Sequence, residues 1–264
     1  MQLNPEGYSL SDERNGLEVV EIAHLTPEQR RGMLALLQTC YAGVSPAQFN
    51  RDLDEKEWTI LGTDPVSERV WCFSTMRRLR ATVDGEPITA FYSGDTASSA
   101  DARGAATSAG TRLVIRKMFY ERMISEDEGR FYWFMISSTY KSYRLLPMIF
   151  RDFAPGPSRD LSPAETKMIA ELSQLKHIEF NASSGIVTLA NPSLPFDSAA
   201  EPEPARAPDV YAEFFHSANP NAASGDRLAT LTEISLSNLT PLGARMVADA
   251  SNVAQQPVTQ PGQG

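Results

Sequence analysis

Two β-prone segments joined by a tight turn constrain this 264-residue chain more than any other feature. VWCFSTMRRLRATV, residues 70–83, reads as one long strand, and Asp84-Gly85 followed by Glu86-Pro87 reads as a turn into ITAFYSGDT, residues 88–96. Asp-Gly supplies the backbone freedom of a tight hairpin, so the two strands are predicted to be antiparallel neighbours. The small residues from Gly104 to Gly110 then lead into GTRLVIRKMFYERMIS, where Val114, Ile115, Met118 and Phe119 recur at helical spacing. RFYWFMISS, residues 130–138, is the most aromatic and β-prone stretch and reads as a central strand.

Upstream, LEVVEIAHL (17–25) reads as a first strand. Thr26 and Pro27 open a helix that Gly43 closes, and Ser45 caps a second over SPAQFNRDLDEK, before the strand EWTILGT. The order β-α-α-β-β-β-α-β-α with a hairpin in its middle predicts a mixed sheet rather than a doubly wound parallel one. Downstream, TYKSYRLLPMIFRDF reads as a helix broken at Pro147, and AETKMIAELSQL as another. A hairpin runs from HIEF to IVTLA, and a Pro/Ala-rich exposed loop occupies residues 192–208. A short helix (DVYAEFFHS), a strand (RLATLTEIS) and a helix (TPLGARMVADA) complete the ordered part. The expected division is a flexible N-terminus over 1–16, a core over 17–155, an extension over 156–250 that completes or covers it, and a disordered tail over 251–264.

An apolar content of 42% suffices for a core, and a formal charge of −9 argues against a broad nucleic-acid surface. No apolar run approaches the roughly 20 residues of a membrane span, and the N-terminus carries no signal pattern, so a cytoplasmic setting is expected. Cys40 and Cys72 show neither zinc nor redox spacing and read as core thiols. His24, His177 and His216 are scattered, so no metal is expected. MRRLR, residues 76–80, puts Arg78 and Arg80 on one strand face and Arg77 on the other, a solvated surface or a patch for an acidic carrier or donor phosphates.

The strand, small-residue turn and helix between residues 93 and 118 resemble the GNAT superfamily of acyltransferases, a likeness that extends over roughly residues 17–155. That family has an Arg/Gln-x-x-Gly-x-Gly/Ala turn whose amides hold the pyrophosphate of coenzyme A. Arg103, Gly104, Ala105, Ala106, Thr107 and Ser108 stand at the matching positions, with Ala106 in place of Gly and Ser108 in place of Gly or Ala. Small side chains still allow a phosphate oxygen close to the main chain. The resemblance implies an α/β (α+β) fold, a mixed, mostly antiparallel twisted sheet flanked by helices with a C-terminal extension. It also implies a biosynthetic transferase that moves an acyl group from a thioester to a small-molecule amine by direct attack.

The co-substrate so implied is acyl-CoA or another pantetheine thioester, with an acyl carrier protein as an alternative donor. Two rival readings are a GNAT-fold protein that binds a ligand or partner without chemistry, and a transferase fed by aminoacyl-tRNA. In the family a tyrosine on the helix after the fifth strand protonates the departing thiolate; Tyr143 is the preferred match and Tyr140 the second. Ser137 and Ser138 replace the usual Asn near that strand's end. Asp95, ending the fourth strand, is the candidate general base, ahead of Glu121 on the central helix. The acceptor's identity and the oligomeric state are left open by the sequence.

Overall fold

The computed structural model describes residues 8–100, 105–190, 192–196 and 209–248. Its strands are β1 (Ser11–Asp12), β2 (Leu17–Glu21), β3 (Tyr41–Ala42), β4 (Trp58–Thr63), β5 (Val70–Val83), β6 (Glu86–Ser98), β7 (Arg130–Ser137), β8 (Glu179–Asn181), β9 (Ile186–Thr188), β10 (Leu194–Pro195) and β11 (Arg227–Glu233). Its α-helices are α1 (Pro27–Cys40), α2 (Pro46–Asp54), α3 (Ala105–Ile124), α4 (Tyr140–Tyr143), α5 (Leu145–Ile149), α6 (Pro163–Leu175), α7 (Val210–Ala218) and α8 (Pro241–Val247). Among the described residues nine strands form one sheet in the order β1-β2-β4-β5-β6-β7-β11-β9-β8. Every pairing in that sheet is antiparallel except β6 with β7, the two strands that α3 connects. A crossover helix is what a parallel pair requires, and this one supplies it. The fold is the mixed, mostly antiparallel α/β sheet that the sequence predicts.

Helices cover both faces. One face of the sheet, through Trp58, Phe91, Phe131 and Trp133, packs on α3, α4, α5, α7 and α8. The other carries α6 against Tyr92 and Phe134, and α1 and α2 against Leu61 and Phe73. The Thr26 side chain and Gln29 form a reciprocal capping box with Pro27 in the first turn, and Ser45 caps α2. Both starts lie where the sequence puts them.

Several boundaries differ from expectation. Within the stretch expected to be flexible over 1–16, β1 pairs with β2, and Tyr8 is buried, donating its hydroxyl to the Val247 carbonyl at 3.1 Å. A tyrosine that buries its ring and finds an acceptor for its hydroxyl tethers the segment. The helix expected over 26–43 stops at Cys40, because Tyr41 is extended and pairs with Pro195. That pairing also takes Leu194–Pro195 out of the loop expected over 192–208; residues 197–208 lie outside the described set. The helix expected over 139–153 breaks at Arg144 rather than Pro147, which falls within the first turn of α5. There its missing N–H has no intrahelical acceptor to lose. The tail over 251–264 lies outside the described residues.

Gly129 precedes β7 at φ +92°, and a Cβ built there would lie 2.0 Å from the Pro87 carbonyl oxygen. Gly129→Ala should therefore lower stability by about 2 kcal/mol or more, read as a shifted denaturation midpoint at unchanged slope. An unshifted midpoint would show that the β6–β7 entrance does not depend on this close approach.

Candidate functional site

The ladder between β6 and β7 runs from Ile88 and Arg130 to Tyr92 and Phe134 and then ends. Both strands continue, β6 to Ser98 along β5 and β7 to Ser137 along β11, so they part. Part of the cause is local. Ser74 is opposite Thr96 and Met76 opposite Ser93, so Gly94 and Asp95 of β6 both face the single residue Thr75. The extra residue is a bulge, which bends its strand away from the regular pleat. Thr75 Oγ1 donates to the Asp95 carbonyl at 3.2 Å and holds the bulge in place. Across the gap, Trp133 Nε1 donates to Ser93 Oγ at 2.7 Å, marking the point where direct pairing gives way to side chains.

A cavity of about 470 Å³ fills the parting and opens to both faces of the sheet. On the α3 face it is lined by Gly110, Thr111, Val114, Ser142 and Leu145. On the opposite face its wall includes Tyr41, Gln48, Asp52, Lys56, Lys176 and Arg227. Ser93, Gly94 and Asp95 form the rim between the two. Main-chain groups on this part of β6 that would bond a regular neighbour have no ladder partner on the β7 side. Gly94 has no room for a side chain, since a Cβ would come within 2.4 Å of Lys56 Cε.

Asp95 is partly buried in this wall. Burial pushes its carboxyl above the ordinary carboxylate range and Asp52 adds to the rise, while Lys56, Arg227 and Lys176 pull against it. Tyr41 and Tyr92 are raised too, first by burial and then by the Asp95 charge. Lys56, Lys176 and Arg227 are only 8%, 9% and 6% exposed, an unusual concentration of buried cations. Lys176 pairs with Glu55. Lys56 donates to the Asp52 carbonyl at 2.7 Å, and Arg227 to the carbonyls of Gly225 at 3.1 Å and Ser193 at 2.8 Å. Burial lowers the proton affinity of Lys56 and Arg227, since a buried charge is costly to keep from water.

The other expected site residues are placed differently. Tyr143 is fully buried, surrounded by Phe153, Phe214 and Phe215, and donates its hydroxyl to the Pro155 carbonyl at 3.1 Å. Its neighbour Ser142 faces the cavity instead, because α4 lasts one turn and a shift of one residue rotates a side chain by about 100°. Tyr140 donates its hydroxyl to Asp209, the residue that caps α7, and is pushed up to about 12 by burial and that bond. Neither tyrosine is brought to Asp95. Glu121 is committed to Lys117 and to Arg78, the latter at 3.2 Å.

Arg77, Arg78 and Arg80 are engaged within the chain by Glu55, Glu57 and Glu121, and Asp127, so MRRLR is not an open basic patch. Arg103 and Gly104 lie outside the described residues; Ala105, Ala106 and Thr107 are in the first turn of α3, and Ser108 follows, exposed. Cys72 lines the cavity with its thiol pushed up to about 12 by burial, and Cys40 is half-buried. Among the described residues there is no cluster of metal-ligating side chains and no helix long and apolar enough to cross a membrane.

Tyr41, Lys56, Lys176 and Arg227 escaped the reading of the sequence. Tyr41 looked helical, and the three cations belong to segments 51 to 171 positions apart that only the sheet brings together.

No family model matches the chain, and no curated protein matches it. Solved structures of similar course include an IAA acetyltransferase from Bacillus cereus, at 10% identity over 83% of this chain and 98% of that one, TM-score 0.37. A GNAT family N-acetyltransferase from Escherichia coli in complex with CoA is 15% identical over 51% of this chain and 69% of that one, TM-score 0.35. A probable N-acyltransferase from Enterococcus faecalis is 14% identical over 49% of this chain, TM-score 0.37, and the match spans 31% of that protein's length.

Tyr143→Phe removes one buried hydrogen bond and should lower the unfolding free energy by about 1 kcal/mol without altering the cavity wall. Denaturant melts together with activity measurements check this: lost activity at unchanged stability would return the hydroxyl to the site.

Proposed function

We propose that the chain transfers an acyl group from a pantetheine thioester, acyl-CoA in the first instance, to the nitrogen of a small amine. The observation that carries this reading is the cavity in the parting of β6 and β7, with Asp95 held in its wall by a bulge. The small-residue start of α3, with Arg103 and Gly104 to Ser108, is the proposed seat of the donor's phosphates. The thioester arm then passes into the parting, where main-chain N–H groups of β6 released from the ladder polarise its carbonyl.

An amine arriving as ammonium must lose a proton before it can attack. Asp95, whose carboxyl burial raises, holds a proton more readily than an ordinary carboxylate and is suited to accept it directly or through water. The nitrogen lone pair adds to the thioester carbonyl carbon, the C–O electrons move onto oxygen and return, and the C–S bond breaks with its pair going to sulfur. The extra proton left on the adduct nitrogen passes to that thiolate, directly or through water, to give the neutral amide and free thiol. A thiol has an ordinary pKa near 8.5, so the thiolate is a competent leaving group and a dedicated tyrosine acid is dispensable. That fits a cavity where Ser142, rather than Tyr140 or Tyr143, faces the α3 side. The protonated Cys72 thiol argues against a covalent acyl-cysteine and for direct attack.

The test is thiol release by the full chain from a panel of acyl-CoA thioesters and holo acyl carrier proteins with mixed amines. Donor-dependent release supports the transferase; donor binding with no release on any amine favours a non-catalytic binding protein. Asp95→Asn should reduce kcat/KM roughly 100- to 1,000-fold with the donor's KM little changed. Because the base works only when deprotonated, kcat/KM of the unaltered chain should fall as pH drops through the raised Asp95 value. That acid limb should be missing in Asp95→Asn; the same limb in both proteins would remove Asp95 from proton transfer.

A further inference from the structure

Arg227 begins β11, and Lys56 and Lys176 lie just past the ends of α2 and α6, yet all three line one wall of the cavity. That wall is on the face of Tyr92 and α6, across the sheet from the start of α3. Lys56 Nζ lies 6.0 Å and Lys176 Nζ 5.2 Å from the centre of the Tyr92 ring, which fixes both ammonium groups on this side. The donor phosphates are therefore not the charge these cations serve.

Among the described residues neither Lys56 nor Arg227 has a carboxylate within 4.0 Å; both are held by main-chain carbonyls. Two of the five guanidinium N–H donors of Arg227 are used in this way, and the planar fork keeps others for an oxygen anion in the cavity. Carbonyls position a cation without neutralising it. The carboxylate of Asp95 stands in the same wall, so the site offers a negative and a positive pole to one small molecule. A simple amine would meet only half of this arrangement and would be repelled by the rest.

We propose that the acceptor is an amine that carries its own carboxylate, of amino-acid type, with the nitrogen directed at Asp95 and the carboxylate seated on Arg227 and Lys56. This rests on the acyl-transfer reading above and adds the acceptor's class to it. Lys176, bound to Glu55, closes the same wall and contributes long-range attraction. The same cations would accept a phosphate, and the test separates the two.

With any donor that supports thiol release, the full chain is assayed on L-leucine, L-phenylalanine and L-tyrosine, each against its carboxamide, and on O-phosphoethanolamine against ethanolamine. The free acids should exceed their amides in kcat/KM by roughly 10- to 100-fold, the difference expected for a charge-assisted pair. Arg227→Met should erase that preference, lowering the acids more than the amides until the two are used about equally, with the donor's KM unchanged; a loss common to acid and amide reports the Arg227 charge acting on Asp95. Lys56→Met should do so in part, and circular dichroism confirms that both variants fold.

The comparison of acid with amide in the unaltered chain needs no variant. Titration calorimetry of the same amines with the CoA-saturated chain gives a readout without turnover. Amides used or bound as well as acids, equal losses on both in Arg227→Met, or no binding of any anionic amine overturns the proposal. Preference confined to phosphoethanolamine also overturns it, in favour of a phosphate. Thiol release on uncharged amines alone refutes the acceptor class and leaves acyl transfer standing; failure to bind or cleave any thioester refutes acyl transfer itself.

Discussion

The parting of β6 from β7 is the constraint on which the rest of this structure depends. Two parallel strands joined by the crossover helix α3 pair for only five residues and then diverge at a bulge. In a continuous sheet that divergence would leave polar main-chain groups unsatisfied, a cost of several kcal/mol if they stayed buried and dry. Here each strand keeps its outer neighbour, β5 on one side and β11 on the other, so the gap opens without unravelling the sheet. The released groups face a cavity instead of a core. Trp133 and Ser93 bridge the apex, and Thr75 fixes the bulge.

The C-terminal segment matters to this opening in two ways. By pairing with β7 along Leu228–Glu233, β11 supports the strand that α3 delivers, and by beginning at the cavity it sets Arg227 into the wall. Arg227 is gripped by the carbonyls of Ser193 and Gly225, so the short β10–β3 pairing nearby helps to hold it and turns Tyr41 into the same space. Asp95 is raised by burial while Lys56 and Arg227 are lowered by it; each charge is the other's partial remedy at a distance too long for an ion pair.

Regular elements were legible because their signals are local. The Asp84-Gly85 turn fixed the long hairpin, and Thr26, Pro27 and Ser45 marked two helix starts in advance. Along the sequence Asp95 reads as the end of its strand; β6 runs on to Ser98, and it is the bulge at Gly94 and Asp95 that sets this carboxylate in the cavity wall. Tyr143 is turned into the core for a geometric reason: α4 is one turn long, and the break at Arg144 decides which of Ser142 and Tyr143 faces the cavity. No periodicity is readable over four residues.

From residue order alone came the strand and helix sequence, the mixed character of the sheet, the carboxylate on the strand before the central helix, and the small side chains that begin that helix. These follow from backbone preferences and hydrophobic period, which act over a few positions. Tertiary structure decided which charges share the cavity, which tyrosines are withdrawn into the core, and that an arginine more than 130 residues after Asp95 stands in the same wall. Those outcomes depend on strand register and on where the chain returns to the sheet. Packing of the whole molecule sets both, since moving a strand by one residue turns all of its side chains to the opposite face.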